Sequence, residues 1–169
     1  MQHEQKSKNK QQQKGFTLIE LMVMIAVVGI MTTVGFVSLK SGQNKNKLKS
    51  AQAEITAMIK LAQSYALQGK KDNNDAVPKY YGVKFSADGK SYVFCSSSNA
   101  TDYGCNNSIE THPFSGGINL SVGQNSLIWF DIPNGNCKLS SAGSLLLTLK
   151  LDSNEKTITV SPGGSITEN

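Results

Sequence analysis

Residues 15–40 read GFTLIELMVMIAVVGIMTTVGFVSLK, and the organisation of the whole chain follows from them. From Leu21 to Leu39 there are nineteen residues without a charge. As a helix at about 1.5 Å per residue, this run is roughly 28 Å long, close to the hydrocarbon thickness of a bilayer. Glu20 is the single ionisable residue at its start. A charge at the bilayer centre costs on the order of 3 kcal/mol even on lenient insertion scales, so a carboxylate here reads as functional and paired. Before the run stand Lys6, Lys8, Lys10 and Lys14 among glutamines; after it stand Lys40, Lys45, Lys47 and Lys49. The positive-inside rule is therefore a tie.

The run is too long for the apolar core of an ordinary secretory signal. The nearby A-x-A, Ala51-Gln52-Ala53, lies beyond four lysines and inside a helical pattern. No cysteine ends the run, as a lipoprotein would require. A plain membrane anchor accounts for neither Gly15-Phe16 nor Glu20.

Helical periodicity continues past the apolar run. Leu48, Ala51, Ile55, Ile59, Ala62 and Ala66 recur at steps of three and four, while Lys49, Gln52, Lys60 and Gln63 fall on other faces. No proline occurs from 16 to 68, and Gly69 is a stop signal. The pattern predicts one helix over about 17–68, with a bend or fraying at Gly42 and residues 40–47. Residues 70–79 then read as a loop. Tyr80–Ser86 and Lys90–Ser96 flank an Asp88-Gly89 hairpin turn. Ile118–Val122 and Leu127–Ile132 read as strands around a 123–125 turn, and Leu145–Leu151 pairs with Lys156–Val160 across 152–155. Residues 96–116 read as a long loop and 161–169 as a polar tail. The fold class expected is α+β: a long N-terminal helix, membrane-spanning in its first half, packed on a C-terminal antiparallel sheet head of about six strands.

Composition excludes several classes of function. The net charge is +5, but residues 1–15 carry +3 of it. All 17 basic residues are lysine, and without arginine there is no bidentate grip on phosphate or base edges, which argues against a nucleic-acid partner. Cys95, Cys105 and Cys137, with His3 and His112, fit no metal-ligand spacing. His112 reads as an exposed loop histidine, Trp129 as a core residue, and Asp72 and Asp75 lack the oxygen pattern of a calcium loop. Gly116-Gly117 and Gly163-Gly164 lack the strand-to-helix context of a phosphate loop. No catalytic constellation, cofactor or metal is expected, and the chain is not expected to be an enzyme.

The start of the chain resembles the type IV pilins and the pseudopilins of type II secretion, in which a short basic leader ends in Gly before Phe, with Glu four residues on. The resemblance implies that a prepilin peptidase cuts between Gly15 and Phe16 and methylates the Phe16 amine. It also implies that Glu20 pairs with that amine on a neighbouring subunit. It divides the chain into a leader peptide (1–15), a transmembrane and assembly half of the helix (16–39), and a globular head carrying the amphipathic half of the helix (40–169). The subunit would sit in the inner membrane with its head in the periplasm, then enter a pilus or pseudopilus with other minor and major pilins or pseudopilins. Many major pilins carry a proline about twenty residues into this helix; Val37 stands there, so local melting has no support in the sequence.

The C-terminal half resembles the H-type minor pseudopilin and its minor-pilin relatives, through Ile128-Trp129-Phe130-Asp131 with Asn134-Gly135, Leu145–Leu151, and Ile158 to Ile166. This implies a minor pilin that helps prime or cap a type IV pilus, or alternatively an H-type pseudopilin of a secretion system. Some minor pilins of this group take up DNA through basic residues near the C-terminal Gly. Here that place reads Gly163-Gly164-Ser165-Ile166-Thr167-Glu168, without a basic residue. Relatives also show a strand ending in Cys, a Ser-rich turn and a second Cys. Cys95-Ser96-Ser97-Ser98 and Gly104-Cys105 fit this outline, so a Cys95–Cys105 disulfide with Cys137 free is expected. Cys105–Cys137 and Cys95–Cys137 are the competing pairings.

Overall fold

A computed structural model describes residues 15–72, 75–99, 105–122, 126–140 and 143–169, with the side chains of 34–38 outside the description. Residues 1–14 of the leader and the turn expected at 123–125 also lie outside the described residues. Two compact units divide between Lys40 and Ser41, and each is taken by itself.

The first unit is the apolar part of helix α1, which as a whole runs Leu18–Gln68. Its large apolar side chains are exposed on every face, from Leu18 at 74% to Val27 at 46%. A helix apolar all round is made to be surrounded, not to pack one stripe against a core. Its two threonines turn their hydroxyls inward. Thr32 Oγ1 donates to Val28 O at 2.6 Å and Thr33 Oγ1 to Ile30 O at 2.7 Å, so neither offers an unpaired donor to an apolar surrounding. Among the described residues no helix is long and apolar enough to cross a membrane. The described apolar side chains cover 18–33, and a span needs about 20 residues. The nineteen-residue run read from the sequence depends on 34–38 as well.

In the second unit the C-terminal part of α1 packs on a head with nine strands among the described residues. These are β1 Tyr80–Phe85, β2 Ser91–Ser97, β3 Asn107–Pro113, β4 Asn119–Ser121, β5 Leu127–Asp131, β6 Cys137–Leu139, β7 Leu145–Leu151, β8 Asn154–Val160 and β9 Ile166–Glu168. All pairings are antiparallel, in a five-stranded sheet ordered β3-β2-β1-β5-β6 and a four-stranded sheet ordered β4-β7-β8-β9. Leu48, Ala51, Ile55, Ile59, Ala62 and Ala66 are all buried, in one cluster with Tyr81, Val83, Phe85, Phe94, Phe130, Leu147, Leu149, Ile158 and Val160. Gly69 ends the helix with a positive φ. Its N–H bonds to Ala66 O and that of Lys70 to Tyr65 O, both at 3.2 Å, which closes the last carbonyls in a Schellman motif.

The expected fraying at 40–47 is not seen. Asn44 is buried and donates to Asp152 Oδ2 at 2.8 Å, which fastens this turn of the helix to the β7–β8 connection. Three strands escaped the sequence reading. β3 lies inside the expected loop 96–116, because Asn107-Ser-Ile-Glu-Thr-His-Pro has one aliphatic residue and shows no apolar alternation. β6 and β9 are three-residue edge strands, too short for periodicity to register. β8 starts at Asn154, two residues early, because Asp152 takes a left-handed φ of 54° and turns the chain in two residues.

The five-stranded sheet is apolar on both faces. Alternation sends Tyr81, Val83, Phe94, Ile128 and Phe130 into the helix-side core, and Cys95, Leu127 and Trp129 into a second cluster with Tyr80, Val93 and Cys105. Gly82 makes room for this second cluster, since a Cβ there would overlap the Trp129 ring and Ile128 O.

Candidate functional site

Gly15, Phe16 and Thr17 precede α1, with Phe16 74% exposed. Thr17 caps the helix. The Glu20 N–H donates to Thr17 Oγ1 at 3.3 Å and to Thr17 O at 3.1 Å, and the Leu21 N–H to Thr17 O at 3.2 Å. Thr17-x-x-Glu20 is the spacing of a capping box, a signal present in the sequence but not read there. It sets Glu20 in the first turn, where the helix dipole favours a carboxylate. Gly15 and Phe16, read as the cleavage site, thus lie in non-helical backbone just before a capped helix start. Glu20 follows by one turn, beside Leu18, Ile19 and Leu21, all at least 60% exposed.

In the head, Cys95 and Cys105 form a disulfide with a Cα–Cα distance of 5.5 Å. It closes the second cluster beside Trp129 and holds the approach to edge strand β3. Cys137 is free and half-buried, against Gly164. Burial pushes its thiol up to about 11, opposed by a hydrogen bond with the Gly164 backbone.

His112 is not an exposed loop residue. It lies in β3, with its side chain 23% exposed and its ring stacked on Tyr92 at 5.0 Å. Its Nδ1 is 3.8 Å from Glu54 and its Nε2 3.3 Å from Glu110. Tyr92 donates to the same Glu54 oxygen at 2.6 Å, and its phenol pKa is raised, chiefly by burial and then by this bond. This polar seam joins α1 to β2 and the edge strand β3. Gln52 does the same for the other sheet, donating to Thr157 O at 2.8 Å and Asn169 O at 3.2 Å. Asp72 accepts from Ala76 N–H and Asn107, and Asp75 pairs with Lys71 at 2.9 Å, so both hold loops. Among the described residues no group of three His, Cys, Asp or Glu side chains could hold a metal ion.

Residues 10–36 match the prokaryotic N-terminal methylation motif. Two fimbrial proteins of Pseudomonas aeruginosa are each 36% identical over 76 residues, covering 44% of this chain and 49% of theirs. The type IV major fimbrial protein FimA of Dichelobacter nodosus is 32% identical over 62 residues, covering 37% of this chain and 39% of its own. The chain thus spans about half the length, or less, of the curated relatives it matches. No solved structure matches it. With the methylation motif laid over Gly15, Phe16 and Glu20, and fimbrial proteins among its relatives, the chain is similar to type IV pilins in its N-terminal segment.

Proposed function

We propose that this chain is a minor subunit of a type IV pilus, with a structural and not an enzymatic role. A prepilin peptidase cuts it after Gly15 and methylates Phe16. The apolar part of α1 holds it in the inner membrane, with the head in the periplasm, until it joins other pilins in the filament. Glu20 then pairs with the terminal amine of a neighbouring subunit. The observation that carries this reading is the contrast within one helix. Its first part exposes apolar side chains on all faces behind a Gly-Phe start, and its second part buries one stripe against the head.

The minor role is supported by the resemblance of the C-terminal half to H-type subunits and by Val37 in place of a helix-bending proline. The same resemblance supports an H-type pseudopilin of a secretion system as the second reading. A DNA-uptake role has little support, because no lysine occurs from 157 to 169.

Quantitative mass spectrometry of sheared filaments, together with deletion of the gene, tests the proposal. The expected result is this chain at a few per cent or less of the main subunit, and fewer pili on the deletion strain. Finding it as the dominant filament protein would make it a major pilin. A deletion that stops secretion of folded proteins and leaves pili intact would assign it to a secretion pseudopilus.

A further inference from the structure

Lys45, Lys47 and Lys49 follow the charge-free run within ten residues of Leu39, and all three are exposed. The ion pairs among the described residues involve Lys71, Lys150 and His112, and none of these three lysines. At about 100° per residue, Lys45 and Lys47 point roughly 200° apart around α1, with Lys49 on the Lys45 side. The buried stripe of Asn44, Leu48 and Ala51 runs between the two flanks. The lysines therefore form a collar and not a one-faced patch. A protein partner contacts one side of a helix, whereas a membrane plane surrounds it.

Lysine also fits this purpose chemically. It is a compact point charge on a long flexible stem, suited to a field of phosphates and not to one planar carboxylate. Beside Lys47 is a cavity of about 260 Å³, whose lining includes Lys47, Asn46, Ser50, Phe114 and Ile118, and Glu54, which accepts from Tyr92. The Lys47 stem runs past the Gly116 turn, its Nζ 3.6 Å from where a Cβ would stand.

We propose that Lys45, Lys47 and Lys49 form a collar that binds the anionic head groups of phospholipids on the periplasmic face of the inner membrane. This rests on the reading of the apolar segment as membrane-embedded before assembly. The collar would hold the head close to the bilayer until the subunit is extracted, and the interaction would weaken with added salt.

The test uses the full chain in nanodiscs of equal parts phosphatidylcholine and phosphatidylglycerol. Native mass spectrometry reads the lipids that stay bound on release. The expected result is phosphatidylglycerol enriched on the order of fivefold over phosphatidylcholine. The enrichment is expected to fall to near parity in a K45Q/K47Q/K49Q variant and to persist in K45R/K47R/K49R. The leader lysines are the same in all three proteins, so the difference reports the collar, and circular dichroism confirms that each is folded. Equal enrichment in the Gln variant, or none in the unsubstituted chain, overturns the proposal. So does collar-dependent capture of an acidic pilin subunit with no lipid preference. Failure of the chain to enter nanodiscs at all would overturn the membrane reading beneath it as well.

Discussion

The two parts of α1 obey the same helical geometry in different surroundings. In residues 18–31 the large apolar side chains lie outward on every face, and none meets a core. In residues 48–66 one stripe recurs at three- and four-residue steps, and Leu48, Ala51, Ile55, Ile59, Ala62 and Ala66 along it are buried against the sheets. The first part is a surface built for others, either lipid or neighbouring helices. The second part is already spent on its own head. Substitutions should therefore separate stability from assembly according to which part they touch.

The largest contrast is expected from one truncation made in each part. Ile59→Ala leaves a cavity under the sheets and should destabilise the head by about 2–5 kcal/mol in urea unfolding. Ile25→Ala, at 64% exposure, should change the same measurement by less than about 0.5 kcal/mol and show its effect only in filament assembly. Equal losses at the two positions would break the comparison.

The second cluster tests whether the head is as closed as the helix packing implies. Cys105→Ser should cost about 2–3 kcal/mol by freeing a short loop in the unfolded chain. Because Trp129 is the single tryptophan and sits in that cluster, its emission should shift to longer wavelength as the cluster opens. An unchanged spectrum would mean that the disulfide does not close this face.

Cys137 sharpens the same point through pH. Burial raises its pKa from 9.0 to about 11, so the folded thiol holds its proton through a range where an unfolded thiol has lost it. Alkylation at pH 8 should run about 100-fold slower than in the urea-unfolded chain, and the head should lose stability as pH rises from about 9 to 11. A rate equal to that of the unfolded chain would place Cys137 on the open surface. The smallest effect is expected at the helix start. Thr17→Ala removes the cap and should cost about 1 kcal/mol, seen as faster hydrogen exchange in the first turn and not as head unfolding.

The legible parts of this molecule were those written in long repeats. The 18–68 helix, its buried stripe and the Asp88-Gly89 hairpin each span enough residues for periodicity or turn chemistry to show. β3, β6 and β9 did not show, because β3 carries no apolar alternation and β6 and β9 are three residues long. His112 was misread along with β3. Only the fold brings Glu54, Tyr92 and Glu110 around it, from positions 20 to 58 residues before it and two residues away. Asn44 lay in a stretch expected to bend or fray and Gln52 on a polar face, yet both bond across more than a hundred residues. The Thr17–Glu20 capping box was readable, but the apolar run beside it drew the reading toward Glu20 alone.

The central claim is that α1 begins as a processed pilin helix. Mass spectrometry of the N-terminus, after co-expression with a prepilin peptidase, tests it most directly. The expected result is a mature chain beginning at Phe16 with one methyl group on its amine, and a full-length chain when Gly15 is replaced. A mature N-terminus after Ala53, or an unmethylated chain that keeps residues 1–15 in the presence of active peptidase, would contradict it.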